Sequence, residues 1–329
     1  MRDLTILVGS WSDGLFALSP DGLSHEFQGR RVAGLASDGW SGAMAVLDGT
    51  ALIRHSSHDG WKEVATSELR MECCLAVDGT VYAGTEGAHL LRFGGSEVQR
   101  VGGSEVRGVE GGEVQRVEGF DAIAGRTDWF AGSAIIDGEV VGPPLSVRSL
   151  AGTRDGRTLL AGVHVGGIAR SVDGGHTWQP TIEVAWDVHE VCVHPDDPET
   201  VIAACAVGLC ISLDGGSTWV LEPVDADGTY CSAVAFVGSD LLVSVSDGHF
   251  APQGAVMRRA IDSPGTLEIA GHGLPDRLAG IVDTRCIASK GSCVAVVDGG
   301  GNVYASDDGG RSWTHVGEGI VDPSSALIL

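Results

Sequence analysis

One octet occurs three times in this chain: SVDGGHTW at 171–178, SLDGGSTW at 212–219 and SDDGGRSW at 306–313. Its grammar is Ser-x-Asp-Gly-Gly-x-Ser/Thr-Trp. Ser and Asp side chains bond the backbone of a tight turn, Gly-Gly permits positive φ, and Trp brings a large apolar surface to pack between neighbouring sheets. A turn this specific, written three times, commits the chain to a repeat architecture, because one such unit buries its hydrophobic face only against its neighbours. The residues that build the turns are Ser171, Asp173 and Trp178, then Ser212, Asp214 and Trp219, then Ser306, Asp308 and Trp313.

The segments ending on the octets, 147–181, 188–223 and 284–319, each hold four short strands, and the first two start about 41 residues apart. The same grammar with a worn octet fits 32–66, which keeps Asp59-Gly60-Trp61, and also 72–101 and 230–271. The N-terminal stretch supplies only three strands, and SSALIL at the C-terminus supplies one more. A unit split between the termini closes a ring and removes exposed sheet edges. The expected architecture is an all-β, seven-bladed β-propeller forming one domain over 1–329, with six blades if 32–66 or 72–101 is not a blade. Composition agrees: 50 Gly lie as turn pairs between short Val/Ile/Leu/Ala runs, and a chain 43% hydrophobic is too apolar to be disordered. Residues 94–118 are a tandem duplication of an eight-residue unit, expected as an expanded hairpin or loop on the third blade.

The octet resembles the Asp-box, or BNR repeat, shared by sialidase-like propellers, by the photosystem II assembly factor YCF48 and by many uncharacterised bacterial proteins. That resemblance implies a propeller and says little about chemistry. Each octet lies between strands 3 and 4 of its blade, on the bottom face. The 2–3 loops and the blade-to-blade connections are then on the top face, where propeller ligands usually enter. The octets are therefore scaffold. Membership of the sialidases would further imply an arginine triad, a Tyr-Glu nucleophile pair, an Asp acid/base and an Arg-Ile-Pro motif. Arg-Ile-Pro is absent, and of the three Tyr, Tyr82 and Tyr304 fall inside strands. Tyr230 has Glu190 as its partner only if Glu190 faces the channel, and the adjacent His189 claims that side. Classical sialidase activity is not expected.

The net charge of −23 repels phosphate backbones and anionic membrane surfaces, so nucleic acid and membranes are not expected partners. No apolar run approaches the ~20 residues of a membrane span. MRDLTILVGSWSDG has too short an apolar run for a signal peptide and carries Asp3 where a positive region belongs. A cytoplasmic location follows as an expectation. The eight cysteines are then reduced thiols, and without CxxC pairs they do not form a zinc ribbon.

The candidate chemistry lies at the top of the channel. Aligning the innermost strands on an apolar-Ala step (AGLA, CCLA, RSLA, HEVC, CSAV, RCIA) puts Ala33, Cys73, Arg148, His189, Cys231 and Arg285 in one layer. Such positions usually hold Val, Ile or Ala. The 2–3 loops add Trp11, His89, His164 and His249, and the connections add Trp186, Asp187, Tyr230 and Asp283. A small anionic ligand is expected here, held by Arg148 and Arg285 with Trp11 and His249. His164, His189, Cys231 and Cys73 are the candidate ligands of a transition metal, zinc or copper. The candidate catalytic set is His189, His164, Cys231, Tyr230 and Asp283, with His189 as a base oriented by Asp187 or Asp283, or Cys231 as a nucleophile. The alternative is a non-catalytic scaffold or assembly protein.

Overall fold

Short apolar runs separated by Gly-rich turns become antiparallel strands, because each turn reverses the chain before a helix can nucleate. The structure, a computed structural model, describes residues 4–94, 113–131, 134–136, 139–141, 144–222, 224, 228–263 and 266–329. These residues form seven blades: six four-stranded sheets and one of five strands, plus a separate two-stranded hairpin of Ala134–Ile136 and Glu139–Val141. The innermost strands, from blade 1 to blade 7, are Pro323–Ile328, Val32–Ser37, Met71–Val77, Val147–Gly152, Val188–Val193, Tyr230–Val237 and Ile287–Lys290. Each packs against the next, and the last returns to the first, so the ring closes. Blade 1 is the split unit: Pro323–Ile328 pairs antiparallel with Ile6–Ser10, outside which lie Leu15–Ser19 and Gly22–Glu26. In blade 6, Leu278–Ala279 adds a fifth strand against Gln253–Ala260. Most of the 94–118 duplication lies outside the described residues, but Glu113–Arg116 is the outermost strand of blade 3.

The three octets fold alike. In each, the Asp carboxylate accepts two backbone N–H groups at 2.8–3.0 Å and one hydroxyl at 2.6 Å. The Ser hydroxyl donates to the Asp and accepts the N–H of the second Gly. Both glycines have φ between 68° and 88°, a conformation costly for any residue with a Cβ. Trp178 and Trp313 donate to glycine carbonyls of their own turns, whereas Trp219 donates to Thr181 in blade 4. The indoles then fill inter-blade seams: Trp178 packs with Phe120, Tyr82 and Leu159.

The innermost strands depart from simple alternation. Near its start, each one that pairs there shifts register, leaving an extra residue opposite its partner strand. Such bulges re-aim side chains. Counting from the bulges and octets, the layer at the top of the channel is Gly34, Glu72, Arg148, His189, Ser232, Arg285 and Ser324. The expected layer is thus right for Arg148, His189 and Arg285, and one residue off for Ala33, Cys73 and Cys231. A slip of one residue turns a side chain to the other face, and Ala33, Cys73 and Cys231 are accordingly buried between blades. Gly34, at φ 61°, is required: a Cβ there would lie 2.7 Å from the Cα of Cys73.

The next layer staples blade to blade. Ser325 accepts the Leu35 N–H of blade 2, Ser149 the Val191 N–H of blade 5, and Glu190 the Val234 N–H of blade 6. The Cys73 thiol donates to the Val147 carbonyl of blade 4.

Candidate functional site

At the top of blades 4 to 6, three side chains turn their donor atoms toward one point. His164 comes from the 2–3 loop of blade 4, Asp187 from the connection into blade 5, and His189 from the bulge of blade 5. The ligand atoms all lie within 4.8 Å of one another. The Nε2 of His164 is 3.4 Å from Asp187 Oδ1, and the Nε2 of His189 is 3.7 Å from Asp187 Oδ2. Four ligands held at about 2.1 Å in a tetrahedron sit about 3.4 Å apart, so these spacings suit a small transition-metal ion. Both histidines are 1% exposed, so the pocket wall rather than solvent fixes their aim.

Each member is pinned by the fold. His189 Nδ1 lies 2.6 Å from the Cys231 carbonyl, and since a carbonyl only accepts, Nδ1 carries the proton. The Nε2 lone pair is thereby turned inward, the second-shell arrangement of a metal-ligating histidine. The Tyr230 hydroxyl donates to that Nε2 at 3.0 Å, a bond that a metal ligated by the same lone pair would displace. Asp187 adopts φ 50° and ψ 81°, and the Ala206 N–H holds its carbonyl at 3.0 Å.

The electrostatics match a ligand set rather than a charged dyad. Burial, reinforced by the Arg148 charge, pushes His164 down to about 4, so it is neutral near pH 7. Burial works to raise the Asp187 carboxyl, but its neighbours His189, His164 and Arg148 together leave it below the usual range. Tyr230 is pushed up by burial and stays a phenol. The Arg148 charge acts on His164, Asp187, Tyr230 and His249, and that of Asp283 on Tyr230 and His249. Arg148, Asp283, Tyr230 and His249 therefore belong to the same mouth.

Other candidates stand elsewhere. The Cys231 thiol is fully buried, faces the Thr229 carbonyl and is pushed up to about 12 by burial, so it offers no thiolate. What Cys231 gives the site is its backbone carbonyl. Cys73 lies in the seam of blades 3 and 4, raised to about 11 by burial. Arg285 has φ 64° and donates to the Arg148 carbonyl, and its charge acts on Glu72, Glu190 and Cys73 inside the channel. Trp11 lies under the Arg31 guanidinium, 4.5 Å from ring centre, and Arg31 pairs with Glu72 at 2.6 Å. His89 joins Asp121, Arg116 and Arg126 on the outer top of blade 3. All eight cysteines are free thiols.

The bulge also overturns one expectation. Both His189 and Glu190 serve the channel, because the register shift between Val188 and Glu190 breaks alternation. Glu190 Oε2 accepts the N–H groups of Val234 and Arg285, each at 3.1 Å, and burial pushes this carboxyl up to about 7. With Arg285 it borders a cavity of about 280 Å³ below the mouth. Tyr230 nevertheless pairs with His189 and not with Glu190. Sequence reading gave Asp187 only an orienting role and did not single out Glu72. The pattern apolar-polar-x at the start of the innermost strand (VHE, VRS, MEC) is the signal that locates the bulged layer in blades 5, 4 and 3.

No family model and no curated protein sequence matches the chain. Solved structures do. The GH74 enzyme of Niastella koreensis is 16% identical over 94% of this chain and 46% of its own, at a TM-score of 0.60. This chain thus spans about half the length of that enzyme. Apo AztD from Citrobacter koseri is 11% identical over 100% of this chain and 98% of its own, at a TM-score of 0.59. YCF48 bound to D1 peptide is 14% identical over 86% and 81%, at 0.53. At such identities the likeness is one of fold, a β-propeller that serves varied functions. Among the described residues no helix is long and apolar enough to cross a membrane.

Proposed function

We infer that this chain is a propeller of the Asp-box type that binds a divalent transition metal of the zinc class at its top-face mouth and, through it, a small anionic ligand. The observation that carries this reading is the convergence of His164, Asp187 and His189 within 4.8 Å. Three protein ligands leave one tetrahedral position open, the pattern of a catalytic or ligand-exchanging site rather than a closed structural one. Asp187 takes the place expected of Cys231 and Cys73. The Arg148 charge beside the set favours an anion in the open position. A metal held by His164, Asp187 and His189 would supply Lewis acidity toward a bound oxygen or water, so metal-assisted hydrolysis is the reaction class such a site would support. The alternative, a non-catalytic scaffold, draws support from the fold likeness to YCF48 bound to D1 peptide. A scaffold calls for a broad apolar or charged patch on the rim. The exposed large apolar residues described on the top face are Phe130, Val207, Phe250 and Val321, and it is the convergence of His164, Asp187 and His189 that favours the metal site.

The test is calorimetric titration of zinc into tag-free protein, with elemental mass spectrometry after dialysis. One equivalent is expected in the wild type and none in Asp187→Ala or His189→Ala, with the fold intact by circular dichroism. Absence of zinc from the wild type, or its retention by both variants, would overturn the reading.

A further inference from the structure

A row of rings leads outward from the two buried histidines. The ring centres of His164 and His189 are 6.4 Å apart, His189 and Tyr230 4.6 Å, Tyr230 and His249 6.5 Å, and His249 and Phe250 4.6 Å. Exposure rises along it: both inner histidines are 1% exposed, Tyr230 is half-buried, His249 is exposed and Phe250 is 90% exposed. Isolated exposed apolar residues need no explanation. This one ends a continuous aromatic wall that starts at the proposed metal ligands, and no large apolar side chain among the described residues is more exposed.

Phe250 is not on a loose tip. Its loop joins Asp240–Ser246 to Gln253–Ala260, the Ala251 N–H bonds the Gly248 carbonyl, and the Gly280 N–H bonds the Pro252 carbonyl. The phenyl ring is thus presented to solvent by backbone tied on both sides. Across the mouth, the half-exposed Phe130 bonds the Val165 carbonyl, next to His164. Apolar walls with a few convergent polar groups describe a small-molecule site, and flat rings favour flat partners in offset or edge-to-face contact.

We propose that the ligand of this mouth is a small carboxylate bearing an aromatic ring, its carboxylate directed to the metal and Arg148 and its ring laid along Tyr230, His249 and Phe250. The assignment rests on the metal reading for the carboxylate end, while the ring end rests on the aromatic row alone. The experiment titrates acetate, phenylacetate and cyclohexylacetate into zinc-loaded and zinc-free protein, wild type and Phe250→Ala. Phenylacetate is expected to bind about tenfold more tightly than acetate, and Phe250→Ala to remove most of that difference while zinc stoichiometry stays unchanged. Cyclohexylacetate should bind more weakly than phenylacetate. Equal affinities for acetate and phenylacetate, equal affinities for phenylacetate and cyclohexylacetate, or no effect of Phe250→Ala would each overturn the proposal. If zinc itself does not bind, the metal reading fails on that result alone. The ring preference is then decided on the zinc-free protein by the same three comparisons.

Discussion

Ser149→Ala tests the inter-blade staples directly. Ser149 is 3% exposed and its hydroxyl accepts the Val191 N–H at 3.0 Å, across the seam between blades 4 and 5. Val191 is 2% exposed, so water cannot replace the lost acceptor. The substitution removes one oxygen and creates almost no cavity. Its cost is therefore that of a buried N–H left without a partner, about 1–3 kcal/mol. With an unfolding entropy of about 2 cal/mol/K per residue, a chain of 329 residues loses about 1.5–4.5 °C of thermal midpoint for that cost. Differential scanning calorimetry gives the midpoint, and amide hydrogen exchange reports on Val191 itself. The amide should lose protection relative to Val201 and Ile202, which lie in the paired strand of the same blade. A midpoint within 0.5 °C of wild type, with Val191 still protected, would refute the idea that this hydroxyl joins the two blades.

Three further outcomes are expected. Trp178→Ala, at a site 6% exposed in the seam of blades 3 and 4, should cost about 3–5 kcal/mol in denaturant unfolding while leaving zinc affinity unchanged. In the second octet burial acts to raise the Asp214 carboxyl, but the Thr218 hydroxyl and N–H, the Ser212 hydroxyl and the Ser217 N–H bring it down from the usual 3.8 to about 2. Its contribution is therefore complete above about pH 4 and lost as the pH falls through about 2, so Asp214→Asn should flatten the acid limb of the stability curve in that window. The Cys231 thiol, fully buried and raised to about 12, and the Cys73 thiol, raised to about 11, should resist iodoacetamide in the folded protein and react on unfolding, as read by peptide mass spectrometry.

The octets made the fold legible because every residue in them has a stated job. Ser171 and Asp173 satisfy N–H groups, the glycines take positive φ and Trp178 fills the seam, so the spelling survives where the geometry does. The same octets anchored the count in blades 4, 5 and 7, and there Arg148, His189 and Arg285 were placed in the correct layer. Blades 2, 3 and 6 have no intact octet, and there the count slipped by one. A bulge shifts the phase of every residue before it without leaving a fixed residue type behind. His164, Tyr230 and His249 were legible as a group because loop position around a ring decides which face they share. The ligand role of Asp187 was not, since it depends on a left-handed backbone conformation that nothing in WDVHE announces. Arg285 looked like an anion clamp by type, but its guanidinium donates to the Arg148 carbonyl and its backbone N–H to Glu190, partners that only the closed ring brings together.

The split first blade has a consequence during synthesis. Ile6–Ser10 leaves the ribosome more than three hundred residues before its inner partner, Pro323–Ile328. The Ser10 hydroxyl and the Val321 carbonyl it bonds are 311 positions apart. Until Pro323–Ile328 has been made, Ile6–Ser10, buried at every residue in the finished ring, shows an open apolar edge to whatever else is being made. Six blades can assemble from local contacts, but the ring shuts only through a pairing of the highest sequence separation, the slowest kind to find. Nascent copies held in that state have matching edges, so co-translational chaperoning or dilute expression should matter more for yield than the stability of the finished ring.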